Sequence, residues 1–160
     1  MHEFTTDILR LQFIEAASPV ILSATDTQKV MQSIDEEERG KALTVFRYTL
    51  GQALTNAAAR NLQIDPRELD FTLRFVPSGA ALNTEFILFD TAPGGAGYAS
   101  KCFDEPDLLQ VFANAVKLLR CDCGDSCYGC LRSYTNQWMH ARLNRKFVLD
   151  GLEKFNEANW

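Results

Sequence analysis

Leu9, Leu11 and Phe13 alternate with polar residues, the period of a half-buried strand over 7–13. Residues 18–33 are rich in Ser, Thr and Gln and carry no firm period, which predicts a loop, with one more short extended piece as the alternative. Ser33 and Glu36 have the spacing of a capping box, and the acidic run from Asp35 to Glu38 would lie at the positive end of the helix that follows. Leu43, Phe46, Leu50, Leu54 and Ala57 then recur every three or four residues, predicting a long helix over 41–62. Asp65-Pro66 signals a short turn of helix. Phe71, Leu73 and Phe75 alternate as a second strand, closed by a turn at Pro77-Ser78-Gly79. Glu85 to Asp90 is nearly continuous in apolar residues, as expected of a central strand buried on both faces. Regularity breaks at residues 93–98. Helices are expected over 105–119, opened by Asp104, and over 142–156.

Strands and helices both occur without strict alternation. The expected class is α+β: a small mixed sheet of three to four strands, packed by a long central helix and two helices in the C-terminal half. One domain over residues 1–160 is expected, as a fragment or subunit of a larger assembly. The chain has 160 residues, 46% of them hydrophobic, which suffices for a true core and excludes a disordered chain. No apolar run is long enough to span a membrane, and the N-terminus lacks the basic-then-apolar order of a signal peptide. A reducing cytoplasm is the expected location, and no membrane partner is expected.

The five cysteines change this picture. Cys121, Cys123, Cys127 and Cys130 form a C-x-C-x3-C-x2-C cluster, while Cys102 stands apart. Clustered thiols in a reducing compartment point to metal or redox chemistry rather than disulfides. Four local thiolates can complete a tetrahedron around one zinc ion with no open position for water, which predicts a structural site. An iron–sulfur centre uses the same ligand type, and Cys127-x-x-Cys130 alone would fit a redox pair. Gly124 and Gly129 are expected to provide positive φ for the wrapping, and Arg120 and Arg132 to offset thiolate charge. Cys102 reads as a buried small hydrophobe, and His140 as an ordinary packed or exposed histidine rather than a ligand.

Net charge is −5, which argues against a surface that attracts nucleic acid everywhere. Residues 131–147 nevertheless carry Arg132, Arg142, Arg145 and Lys146, no acidic residue, and the interleaved aromatics Tyr134 and Trp138. That strip is a candidate phosphate-binding segment. Gly94, Gly95 and Gly97 follow an apolar strand, but neither a Walker A lysine nor a G-x-G-x-x-G is present. They are expected to make a structural turn, with an anion nest as the alternative. Asp90 has no second acid or base at a diagnostic spacing, so no catalytic set is predicted and the chain is not expected to be an enzyme.

His2 to Asp7, Leu88 to Tyr98 with its Pro-Gly-Gly-Ala-Gly-Tyr turn, the cysteine cluster running into Leu131 to Asn136, and Leu143-Asn144-Arg145 together resemble the MrfA-type zinc-binding domain. The likeness covers about residues 2–153; the 15–39 stretch matches least, and Tyr128 stands where members often have Pro. In that family the domain usually ends a superfamily 2 DNA helicase of the MrfA repair type, and it also occurs in the DrmB component of the DISARM anti-phage system. The resemblance implies zinc on Cys121, Cys123, Cys127 and Cys130. It also implies an accessory role beside a helicase module, in cis or in trans, with DNA as a possible partner. A protein-interaction module without DNA contact is the competing reading. These 160 residues hold no helicase motif, so ATPase activity does not carry over.

Overall fold

In the computed structural model, residues 8–13, 36–78, 81–102 and 105–159 are described. The loop expected at 18–33, the Ser33 cap and the Asp104 start signal lie outside them.

One long helix organises the fold. Helix α1 spans Glu36–Leu62, starting earlier than the apolar stripe alone marks, because the acidic run supplies its first turn. Glu37 and Lys41 pair there at 2.7 Å on the exposed side. Its second half is buried nearly all round, with Leu50, Ala53, Leu54, Ala57, Ala58 and Ala59 in the core. Small residues make this possible, because neighbours approach from several sides. At Gly51 a Cβ would lie 2.2 Å from the Phe71 ring, so only glycine leaves room for that ring.

The sheet covers one side of α1. Strands β1 (Ile8–Phe13), β2 (Leu69–Ser78) and β3 (Ala81–Asp90) are ordered β1-β3-β2, and both pairings are antiparallel. β3 is central, as its apolar run predicts. Its inner face carries Thr84, Phe86 and Leu88 against the helices. On its outer face Asn83 and Glu85 are buried while Ile87 and Phe89 are half-buried, so the burial expected on both faces is complete only on the inner one. Arg74 reaches Glu85 at 3.0 Å there, and Arg10 at 3.9 Å.

Other boundaries also differ from the sequence reading, and β3 itself begins at Ala81, ahead of its apolar run. β2 continues through Pro77 and Ser78, which pair with Leu82 and Ala81 instead of forming the turn. An edge strand tolerates proline because its missing N–H can face away from the ladder. At the C-terminal end, Gln137–Arg142 is a 3-10 helix and α4 begins only at Lys146, ending at Asn159. Asn144 marks the break: its Oδ1 accepts from the Lys146 amide at 3.0 Å, satisfying a donor at the helix start.

Between these lie a 3-10 turn (Pro66–Glu68), the short helix α2 (Tyr98–Lys101) and α3 (Glu105–Leu119). The turn is capped by Asp65, whose carboxylate accepts from the Arg67 amide at 2.9 Å and pairs with its guanidinium. That pairing holds Asp65 well below the usual carboxylate range, at about 2. α3 packs on α1 and on α4, with Val111, Phe112, Ala115, Val116 and Leu119 buried in the core. Buried Thr49 of α1 ties down the lead into α4: its hydroxyl accepts from Asn144 N at 2.9 Å and donates to Arg142 O at 3.4 Å. No helix among the described residues is long and apolar enough to cross a membrane.

Candidate metal centre

The four cysteines of the 121–130 loop converge where α3 ends. Their Sγ atoms all lie within 4.8 Å of one another. Cys121–Cys127 and Cys123–Cys130 are 3.7 Å apart, and Cys127–Cys130 3.6 Å. A tetrahedron with Zn–S of about 2.3 Å has edges of about 3.8 Å, so these three pairs, which together include all four sulfurs, stand at the separation that one ion requires. A cluster of several irons with bridging sulfides would hold them wider apart. No other group of His, Cys, Asp or Glu among the described residues is placed to hold a metal.

The loop is wrapped by hydrogen bonds rather than by unusual backbone angles. Cys127 O accepts from the amides of Cys130, Leu131 and Arg132 at 3.2, 3.0 and 2.9 Å. Gly124 and Gly129 therefore have no need of the positive φ expected of them; the positive-φ glycines of the described residues are Gly94, Gly95 and Gly97. The Cys127 amide points at Cys130 Sγ, 3.2 Å away, placing a donor on a thiolate position.

Three side chains from elsewhere hold the loop carbonyls. Asn56 of α1 donates to Cys130 O at 2.8 Å, and Arg60 to Gly129 O at 3.0 Å. Arg145 does most. Its guanidinium donates to Leu119 O at 3.1 Å, to Cys123 O at 2.8 and 3.1 Å and to Gly124 O at 3.0 Å. Its amide adds a bond to Asp125 O at 2.8 Å. A cation beside a site that carries about −2 when four thiolates hold Zn²⁺ also offsets charge. Arg120, expected in that role, instead pairs with Glu153 of α4 at 2.8 Å. Arg132 donates to Ser126 Oγ at 2.9 Å.

The strip at 131–147 is thus not one surface. Arg145 is turned onto the metal loop, Arg142 sits over the Tyr48 ring at 5.5 Å, and Lys146 is exposed at the start of α4. Asn136 knots the segment after the loop. Its Nδ2 donates to Leu131 O at 2.8 Å and its Oδ1 accepts from Ser133 N at 2.7 Å. His140 Nε2 lies 2.8 Å from that Oδ1 and 3.0 Å from Ser133 O. Both partners are acceptors, so this nitrogen carries its proton and His140 is a packed donor, as expected. Cys102 is fully buried, and burial pushes its thiol up to about 11.

Ionisation of the cluster is uneven. Burial pushes the Cys130 thiol up to about 12, whereas the Gly129 amide and the Cys130 thiol beside it bring Cys127 down to about 7. Hydrogen bonds with Cys127 and Cys123 raise Cys121 above its ordinary value. Metal-free at neutral pH, Cys121 and Cys130 therefore hold protons that ligation must expel. Each expelled proton weakens binding about tenfold per unit fall in pH. Zinc affinity should fall at least about 100-fold from pH 7 to pH 6, measured by competition with a chelating indicator. A pH-independent affinity would contradict this.

The glycine turn is organised by Asp90, at the end of β3 and only 3% exposed. Its carboxylate accepts from the amides of Ala96, Tyr98 and Ala99 at 2.6, 3.1 and 2.8 Å. Gly94, Gly95 and Gly97 adopt φ of 88°, 72° and 78°, which bends the chain round the carboxylate. A nest is present, but its anion is the chain's own Asp90.

Comparison with known proteins agrees with this centre. The family described as the MrfA Zn-binding domain matches residues 50–131, just over half of the chain, including all four cysteines. The chain belongs to the MrfA Zn-binding domain family. It therefore binds zinc, and the four-sulfur site is where the ion fits. Druantia protein DruE from Escherichia coli (strain UMEA 4076-1) is 35% identical over 149 residues, covering 91% of this chain and 8% of that protein. The chain thus spans less than a tenth of the length of its curated relative. The crystal structure of the DUF1998 helicase MrfA bound to DNA is similar in fold, at a TM-score of 0.51 and 18% identity, over 77% of this chain and 15% of that one. The structure of MrfA bound to DNA and AMPPNP aligns at a TM-score of 0.46 and 20% identity, over 67% of this chain and 14% of that one.

Proposed function

We propose that this MrfA Zn-binding domain is a non-catalytic accessory domain of a DNA helicase assembly. It would serve in DNA repair or anti-phage defence, joined to a superfamily 2 helicase module in cis or in trans. The closed sulfur tetrahedron supports the reading best. Four thiolates leave no position for a substrate or a reactive water, and the ring of carbonyl contacts from Asn56, Arg60 and Arg145 makes the loop a brace. Asp90, the acid that the sequence offered as a candidate for catalysis, is committed to three amides. The relatives are consistent with the setting: one is a Druantia protein, and another is a helicase bound to DNA.

In this reading the domain contributes contacts to nucleic acid or to the helicase body. Of the four cations in the basic strip, Arg132, Arg142 and Lys146 are the candidates for phosphate, with Arg145 holding the loop. The test is DNA affinity of the zinc-loaded chain against salt concentration. Each phosphate contact contributes about 0.7–0.9 to the slope of log K on log salt, so neutralising all three should lower it by about 0.7 to 2.7, according to how many of them meet phosphate. An unchanged slope would remove the strip from the DNA surface. The second reading, a protein-docking module without DNA contact, is favoured by the net charge of −5. Co-purification with a helicase module without DNA binding would establish it.

A further inference from the structure

The exposed large hydrophobic side chains are not spread over the molecule. Of six among the described residues, five are aromatic, and four of these line one run of adjoining hollows: Tyr134 at 84% exposure, Trp138 at 63%, Tyr128 at 57% and Phe75 at 50%. The hollows measure about 410, 200 and 520 Å³. Trp138 and Met139 border both the first and the second; Arg67 and Thr135 border both the second and the third. Together they make a groove between α1, β2 and the segment after the metal loop. Along α1 its walls run from Thr44 to Arg60, about 24 Å at 1.5 Å per residue.

Charge in this groove is opposite to that of the chain. Arg47, Arg60, Arg67 and Arg132 line it against Asp65 and Asp70, a balance of +2 in a chain of −5. Cations alternate with rings along it: Arg47 sits over Phe75 at 5.0 Å, and Tyr48 meets Trp138 edge-on at 5.5 Å. At the other end Tyr128 and Tyr134 pair at 5.4 Å beside Arg132. A cationic groove with exposed rings at intervals is how proteins hold unpaired bases, with phosphates on the cations and base faces on the rings. Duplex DNA keeps its base faces stacked and would leave those rings idle.

We infer that the groove from Phe75 and Trp138 to Tyr134 and Tyr128 binds single-stranded DNA. This deepens the nucleic-acid part of the proposed function and rests on it. It joins Arg132, Tyr134 and Trp138 of the 131–147 strip to α1 and β2 as the principal contact surface, with room for a few nucleotides, and leaves Arg142 and Lys146 outside it.

The test is fluorescence anisotropy on the zinc-loaded full chain. The probe is a labelled oligothymidylate of about twenty nucleotides, longer than the usual site of about 4–16. A duplex and an oligouridylate of equal length are run alongside. The single-stranded DNA should bind tightest. Tyr134→Ala and Trp138→Ala should each weaken it by about 5- to 160-fold. Arg67→Gln should lower the salt slope by about 0.7, and Lys117→Gln on α3 should leave it unchanged. Tyr134 is largely exposed, so its variant should keep its zinc and its Tm. Wild-type binding that neither ring variant weakens would overturn the groove while sparing the nucleic-acid reading. Tighter binding of duplex or of oligouridylate would overturn the choice of ligand. No binding of any probe at low salt would overturn the nucleic-acid reading itself.

Discussion

Cys127→Ser should leave the chain without tightly held zinc and lower its stability more than any other single change. Such sites contribute on the order of 10–16 kcal/mol of apparent binding free energy, against about 5–15 kcal/mol for the net stability of a whole domain. Cys127 is also the hub of the loop. Its sulfur is 3.7 Å from Cys121 and 3.6 Å from Cys130, and its carbonyl gathers three amides. Without the ion, the thiols that Asn56, Arg60 and Arg145 bring together have nothing to hold them at that distance, and the brace between α3 and α4 loosens. The expected result is less than one zinc per chain after dialysis and a much lower Tm, with chelator treatment of the wild type producing the same state. Cys102→Ala, in the core but remote from the ion, should keep full zinc. A Cys127→Ser protein with wild-type zinc content and Tm would contradict the account.

Asp90→Ala is expected to have the next largest effect. Three backbone donors, from Ala96, Tyr98 and Ala99, converge on this one buried carboxylate. Hydrogen bonds to charged groups contribute about 1.5–3 kcal/mol each, and donors left buried without a partner add a penalty. A loss of at least about 4.5 kcal/mol follows, or a fall in Tm of at least roughly 9–18 °C for a domain of this size. Zinc content should stay at wild type, because the glycine turn lies apart from the 121–130 loop. Asp90→Asn should fall between the two, since its amide keeps one acceptor but turns a donor towards donors. Unchanged melting in Asp90→Ala would show that water serves these amides equally well.

These two sites differ in how much of them the sequence could reveal. The metal centre was legible because its ligands are adjacent in sequence: spacing alone brings four thiols to one point. The central strand was legible too, since β3 shows its burial as an apolar run. Asp90 was visible as an acid before a glycine turn, but its partners are backbone amides, which have no signature in residue types. Arg145 read as one more cation in a basic strip. Its true contacts, the carbonyls of Leu119, Cys123 and Gly124, depend on the α4 lead-in folding back over the loop. Asn56 and Arg60 gave no signal at all, because only the packing of α1 beside the loop brings them to Cys130 and Gly129. β2 outran its predicted turn for a similar reason. Hairpin register, not apolar alternation, keeps Pro77 and Ser78 in the strand. The aromatic groove is a tertiary product as well, joining Phe75 to Trp138 across 63 positions of sequence.

The central claim is that a single ion, held by four sulfurs, braces this domain. X-ray absorption at the zinc edge on the purified chain, with metal content measured on the same sample, tests it most directly. The account predicts one zinc per chain and a first shell of four sulfurs at about 2.3 Å. A shell containing nitrogen or oxygen, or iron in place of zinc, would contradict it.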